Sequence, residues 1–186
     1  MERDLSNTHE RAADDDNGFG FRAVPEWVIN LVRAEGGTDL RFIATKTITI
    51  SELVSHQNCF HLPKDSVNAN LIPMLSEFER GAASLLEDGG MRSTPNDEVA
   101  QMGKSVVGTE HGGLLVTLFP KCRFRCYLVL TRCDYNGGPV IKGEEMKIFF
   151  LWSALKAGDE IEIWGFRREG NLCLTIGMST SSSSSS

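Results

Sequence analysis

The sequence predicts a mostly β domain, sandwich- or barrel-like, with a few short helices filling gaps. Three observations carry that reading. Short runs rich in β-branched and aromatic residues recur along the chain, turn signals separate them, and the last two runs form a hairpin. "DLRFIATKTITI", "LLVTLF", "CRFRCYLVLTRCD", "EIEIWGF" and "LCLTIGM" are the clearest runs. The chain has 186 residues, 41% hydrophobic and 24% charged. A domain of this size buries most of its apolar surface without disulfides or metals.

The elements follow in order. Residues 1–23 carry six acids and three bases and read as a disordered acidic tail. They lack the apolar core of a secretory signal, and no apolar run approaches the ~20 residues that span a bilayer. The expected compartment is therefore the cytosol or nucleus, with no membrane partner. Pro25-Glu26 opens a short amphipathic helix that Gly36-Gly37 ends, with Trp27, Ile29, Leu31 and Val32 along one side. A strand, "DLRFIATKTITI", comes next. "SELVSHQN" reads as a polar interruption, and "CFHLPK" as a second short strand that Pro63 closes. Asp65 or Ser66 is placed to cap a helix. Residues 68–112 read as a helix and loop insertion: Met74, Leu75, Phe78, Leu85 and Leu86 have some helical spacing, and a long loop follows.

"LLVTLF" and "CRFRCYLVLTRCD" read as adjacent strands. In the second, Cys122, Phe124, Cys126, Leu128 and Leu130 fall on one face, and Lys121, Arg123, Arg125 and Tyr127 on the other. "YNGGP" is a turn. "EEMKIFFLWSAL" reads as a short helix with Met146, Phe149, Phe150 and Leu155 inward. "EIEIWGF" alternates as a strand, "REGN" turns, and "LCLTIGM" returns. Residues 179–186 are a Ser-rich flexible tail, which leaves one domain over 24–178.

Five scattered cysteines, an odd number, fit free thiols in a reducing compartment. His56, Cys59 and His61 lie close together, but no Cys-x-x-Cys pair accompanies them, so neither a metal nor a cofactor is expected. Cys59 and His61 share a strand face by alternation. No Gly-rich phosphate loop, nucleophile elbow or paired-carboxylate motif appears, and the sequence predicts a protein that is not an enzyme. The net charge of −6 counts against a simple non-specific nucleic-acid binder. Residues 24–178 are nearly balanced, with 19 acids and 16 bases. The cations of "KCRFRC" fit either a solvated strand face or a phosphate-contacting stripe. Lys46 and Lys64 flank one polar loop, and Arg132 and Lys142 flank another. Two polar loops edged by cations suit a pair of nucleic-acid-reading arms.

The order of these motifs resembles the plant-specific B3 DNA-binding domain family, over about residues 24–178 apart from 68–112. "PEWVINLVRAEGG" leads in, followed by Ser51-Glu52-Leu53, "SHQN" and Leu62-Pro63-Lys64. "VIKGEEMKIFFLWSALKAGDEIEIWGF" is the more specific half, and Leu155 to Asp159 its most specific run. The likeness is to a divergent plant subfamily. It implies a mostly β, seven-stranded open pseudobarrel with short helices that docks two arms in the DNA major groove. The partner would be double-stranded DNA, the compartment the nucleus, and the role transcription regulation, alongside other transcription-associated proteins. The arms would be about 46–64 and 132–142. Their implied contacts are Lys46, Ser51, Gln57, Asn58 and Lys64, then Arg132, Asn136 and Lys142, with Arg123 and Arg125 as secondary phosphate contacts. Cys59 stands where the family usually has Arg, Glu52 where it has Asp, and Met146 where it has Trp. These departures and the acid excess keep a rival reading open, a fold of this kind that has lost specific DNA binding and serves as a protein-interaction module.

Overall fold

The computed structural model describes residues 22–54, 58–85 and 112–179. The acidic segment before residue 22, His56, Gln57, most of the expected long loop and the Ser-rich end lie outside the described residues. The elements are α1 (Glu26–Ala34), β1 (Thr38–Thr47), α2 (Ile50–Val54), β2 (Cys59–His61), α3 (Lys64–Ser66), α4 (Glu77–Ala82), β3 (Leu114–Pro120), β4 (Cys126–Arg132), β5 (Pro139–Lys142), α5 (Met146–Ser153), β6 (Glu160–Arg168) and β7 (Asn171–Met178). Two irregular helical turns, Val67–Leu71 and Ile72–Met74, join α3 to α4. The strands form a seven-stranded sheet in the order β1-β6-β7-β3-β4-β5-β2. All neighbours are antiparallel except β3 and β7. β1 and β2 are its two edges, so the architecture is mostly β with short helices, as the sequence predicts, and open and seven-stranded, as the resemblance implies.

Each face of the sheet has its own core. On one face Ile43, Phe60, Leu118, Leu130, Ile163 and Leu174 pack with Met146 and Phe149 of α5. On the other, Val28, Leu31 and Val32 of α1 pack on Phe119, Trp164, Phe166 and Cys173. β6 was expected to alternate, yet Ile161–Phe166 is buried throughout. The reason is α1, which covers the face that an alternating strand leaves wet. Ile29, expected on the inner side of α1, faces outward, and Val28 takes that place. Gly177 lets α1 approach: a Cβ there would meet the Trp27 ring at 2.6 Å.

Two further expectations are corrected. The strand expected from Cys122 begins at Cys126, because Lys121–Arg125 is a connection. Arg123 bonds back to the Pro120 carbonyl and has a φ of 68°, which interrupts strand alternation. Cys122 is consequently exposed rather than in the core, while Cys126 is buried. The helix after β2 starts at Lys64 behind Pro63, without a side-chain cap from Asp65 or Ser66. The side-chain cap in this region belongs to α4, where Ser76 and Glu79 form a reciprocal capping box.

The turn before β6 holds the end of β1. The Gly158 amide donates to the Ile48 carbonyl at 2.8 Å and the Ile48 amide to the Asp159 carbonyl at 2.9 Å. Gly158 has a φ of 92°, a conformation that glycine adopts without strain. Asp159 Oδ2 accepts the Lys156 amide at 2.7 Å and closes the turn.

Candidate nucleic-acid interface

The segment expected as the first arm, 46–64, runs from the end of β1 and includes β2, and an ion pair fixes its base. Lys46 Nζ on β1 lies 2.6 Å from Glu52 Oε1 on α2, with side chains only 14% and 5% exposed. The same ammonium donates to the His61 carbonyl on β2 at 2.7 Å, and the His61 amide donates to Glu52 Oε1 at 3.3 Å. The Phe60 ring sits 4.9 Å beneath the ammonium. Glu52 Oε2 accepts both the amide and the hydroxyl of Thr49, at 3.1 and 2.9 Å, and so ties down the start of α2. The two edge strands share no ladder. This Lys–Glu bridge joins them and takes up backbone groups of β2 that an open edge leaves unpaired.

The remaining first-arm candidates are placed differently. Ser51 is exposed on α2, its hydroxyl 3.0 Å from that of Thr49. Asn58 has a φ of 47°, and its buried Oδ1 has no hydrogen-bond partner among the described residues. Lys64 is exposed at the start of α3 and forms no ion pair among the described residues. Gln57 lies outside the described residues. Cys59 Sγ is 3.8 Å from His61 Nε2, so the two do share a face. Burial, and then Cys133 and Glu52 nearby, push the Cys59 thiol up, with Lys142 opposing.

Within the segment expected as the second arm, 132–142, residues 133–138 form the turn between β4 and β5. The Cys133 amide bonds the Gly138 carbonyl and the Gly137 amide bonds the Cys133 carbonyl, both at 2.8 Å. Arg132 Nε donates to the Gly137 carbonyl at 2.8 Å. Asn136 is exposed, and its Oδ1 accepts the Gly138 amide at 3.0 Å. Arg132 and Lys142 line one cleft of about 360 Å³ with Thr131, Cys133, Asp134 and Ser84.

The two arms meet through the sheet. Cys59 pairs directly with Lys142 in the β2–β5 ladder, and the Gly143 amide bonds the Asn58 carbonyl at 3.1 Å. Asn58, Lys142 and Arg132 are thus gathered on neighbouring parts of the β4–β5–β2 side. Arg123 and Arg125 are not in that group. Arg125 pairs with Glu35 at the end of α1, at 2.7 Å, and that hydrogen bond holds its guanidinium above the usual arginine value. Sequence reasoning missed Glu52 as the anchor of the first arm and Ser84, Cys133 and Asp134 as cleft residues. Thr49-x-x-Glu52 was the available signal for the start of α2. Among the described residues no three His, Cys, Asp or Glu side chains converge to hold a metal.

No family model and no curated protein matches this chain. Among solved structures it is similar to the Arabidopsis FUS3–DNA complex, at 13% identity and a TM-score of 0.40, over 75% of this chain and 100% of that one. Strand order and register, rather than that likeness, define the fold.

Proposed function

We propose that this chain is a nuclear double-stranded-DNA-binding protein of transcription, reading the major groove through arms at 46–64 and 132–142. The observation that supports this best is the β2–β5 pairing. It seats Asn58 beside the Lys142 strand end, while Arg132 and Lys142 share a cleft. In this reading Lys64, Arg132 and Lys142 grip phosphates and set register. Gln57 and Asn136 carry amide groups suited to adenine edges, Asn58 joins them only by turning its buried Oδ1 outward, and the Ser51 hydroxyl is a further contact. Lys46 supports the arm from within. Arg123 and Arg125 contact only DNA that extends past the arms. The domain spans 24–178, with 68–112 as its insertion and tails on either side.

One observation favours a second reading, in which the fold has lost specific DNA binding and serves protein interaction. Lys46 is committed to Glu52, on a chain whose net charge is −6. Selection of the full-length chain on a pool of random duplexes separates the two. DNA reading predicts an enriched motif. Recovery of unenriched sequence at about 50 mM salt, where phosphate contacts are strongest, supports the second reading instead.

A further inference from the structure

α5 closes one face of the sheet with Met146 and Phe149, and turns an apolar face outward as well. Leu151 is 78% exposed and Trp152 55%, with Ile148 exposed one turn before Trp152. Positions 148, 151 and 152 follow helical spacing, so they form one surface. That surface continues onto the β3–β4 connection, where the Phe124 ring stacks on Trp152 at 5.5 Å and 10°. The Cys122 thiol, donating to the Trp152 carbonyl at 3.5 Å, ties the same connection to the end of α5. Scattered exposed apolar residues need no explanation, whereas four that adjoin in one patch mark an interaction surface.

The charge around the patch indicates what covers it. Arg123 beside Phe124 and Lys147 beside Ile148 are exposed, and neither forms an ion pair among the described residues. Of the two carboxylates just before α5, Glu145 accepts the Tyr127 amide at 2.5 Å and Glu144 is exposed. The patch is therefore apolar with unpaired cations, on a chain with an acid excess. Single-stranded nucleic acid also seeks cations and aromatic rings, but it binds by stacking bases. Leu151, the most exposed of the four, and Ile148 offer no stacking face. Aliphatic and aromatic anchors rimmed by positive charge match an amphipathic acidic peptide laid against a helix surface.

We propose that the face formed by α5 and the β3–β4 connection is a docking site for an acidic protein segment that presents apolar side chains. It uses none of the Arg132, Lys142 or Asn58 groups of the DNA reading and shares with it only Arg123, which the test variants leave unchanged.

The test is selection of displayed random peptides, about 12 residues long, on the full-length chain. Wild type, Leu151→Glu and Lys147→Glu are compared. Both substitutions are at exposed positions, and unchanged circular dichroism and unfolding midpoints verify that the variants fold. Wild type should enrich peptides rich in Asp and Glu spaced with Leu, Phe or Trp. Their affinity should drop about tenfold in Leu151→Glu, the usual scale for losing a central anchor. In Lys147→Glu it should drop less, and the remaining affinity should respond less to salt. Enrichment without acidic bias, or affinity unchanged in Leu151→Glu, overturns the proposal. Tighter binding of an oligothymidylate, lost in Leu151→Glu, overturns it in favour of nucleic acid. Concentration-dependent dimerisation that Leu151→Glu abolishes overturns it in favour of a second copy of the chain.

Discussion

Neutralising Glu52 should destabilise the protein well beyond what a surface ion pair is worth. In Glu52→Gln, Oε1 no longer offers full charge to the Lys46 ammonium 2.6 Å away, and one of the two oxygens becomes an amide. That amide nitrogen then faces either the Lys46 and His61 donors or the Thr49 donors. Exposed pairs contribute about 0–1 kcal/mol. This pair is 14% and 5% exposed, and removing one partner of a buried pair costs about 3–5 kcal/mol. Lys46 keeps the His61 carbonyl and the Phe60 ring, which places the expected loss near the lower end, about 3 kcal/mol. Lys46→Met removes the opposite charge and keeps the apolar stem. In the double variant neither charge is left buried alone, so it should recover about 1–2 kcal/mol relative to the sum of the singles. Urea unfolding of the full-length chain, followed by tryptophan fluorescence, gives all four corners of the cycle. A Glu52→Gln loss under about 1 kcal/mol, or strict additivity, would refute the bridge as the tie between the two edge strands.

Three further predictions concern the scaffold. Arg167, through its hydrogen bonds, holds the Glu79 carboxyl below its usual range. A depressed carboxyl stabilises above its unfolded pKa of about 4.3, and that stabilisation is lost as pH falls through the lower folded value. Glu79→Gln should therefore flatten the acid limb of stability measured between about pH 5 and pH 3; an unchanged limb contradicts the pairing. Gly177→Ala drives a methyl into the Trp27 ring and should cost about 1–3 kcal/mol in urea unfolding, with no cost if α1 is free to lift away. Alkylation at pH 8 should label exposed Cys122 first and spare Cys126, whose thiol burial pushes up to about 11, until the chain unfolds. Equal rates for the two would contradict the placement of the β3–β4 connection.

The sheet was legible because β-branched runs and turn residues mark it at close range. "EIEIWGF", "REGN" and "LCLTIGM" fall where β6, its turn and β7 lie. Lys121–Arg125 was not, because Cys-Arg-Phe-Arg-Cys alternates as a strand does, and nothing in that alternation reveals a positive φ at Arg123. The burial of both faces of β6 was also hidden, since it depends on α1, more than a hundred residues away in sequence. At the candidate site, the loops and their cations could be read from polarity and spacing. The fate of each cation could not. Lys46 and Lys142 look alike in sequence, yet one pairs with Glu52 of α2 and crosses to the His61 carbonyl of the opposite edge strand, and the other lines a cleft beside Arg132. Only the curl of the sheet distinguishes them.

The most direct test of the DNA-reading account is the salt dependence of duplex binding by the full-length chain, wild type against Arg132→Ala/Lys142→Ala. Each phosphate contact contributes about 0.9 to the slope of log K against log salt. The account predicts that the wild type binds with a steep slope and that the double variant lowers it by about 1.8. A slope that does not change when both cations are removed would contradict it.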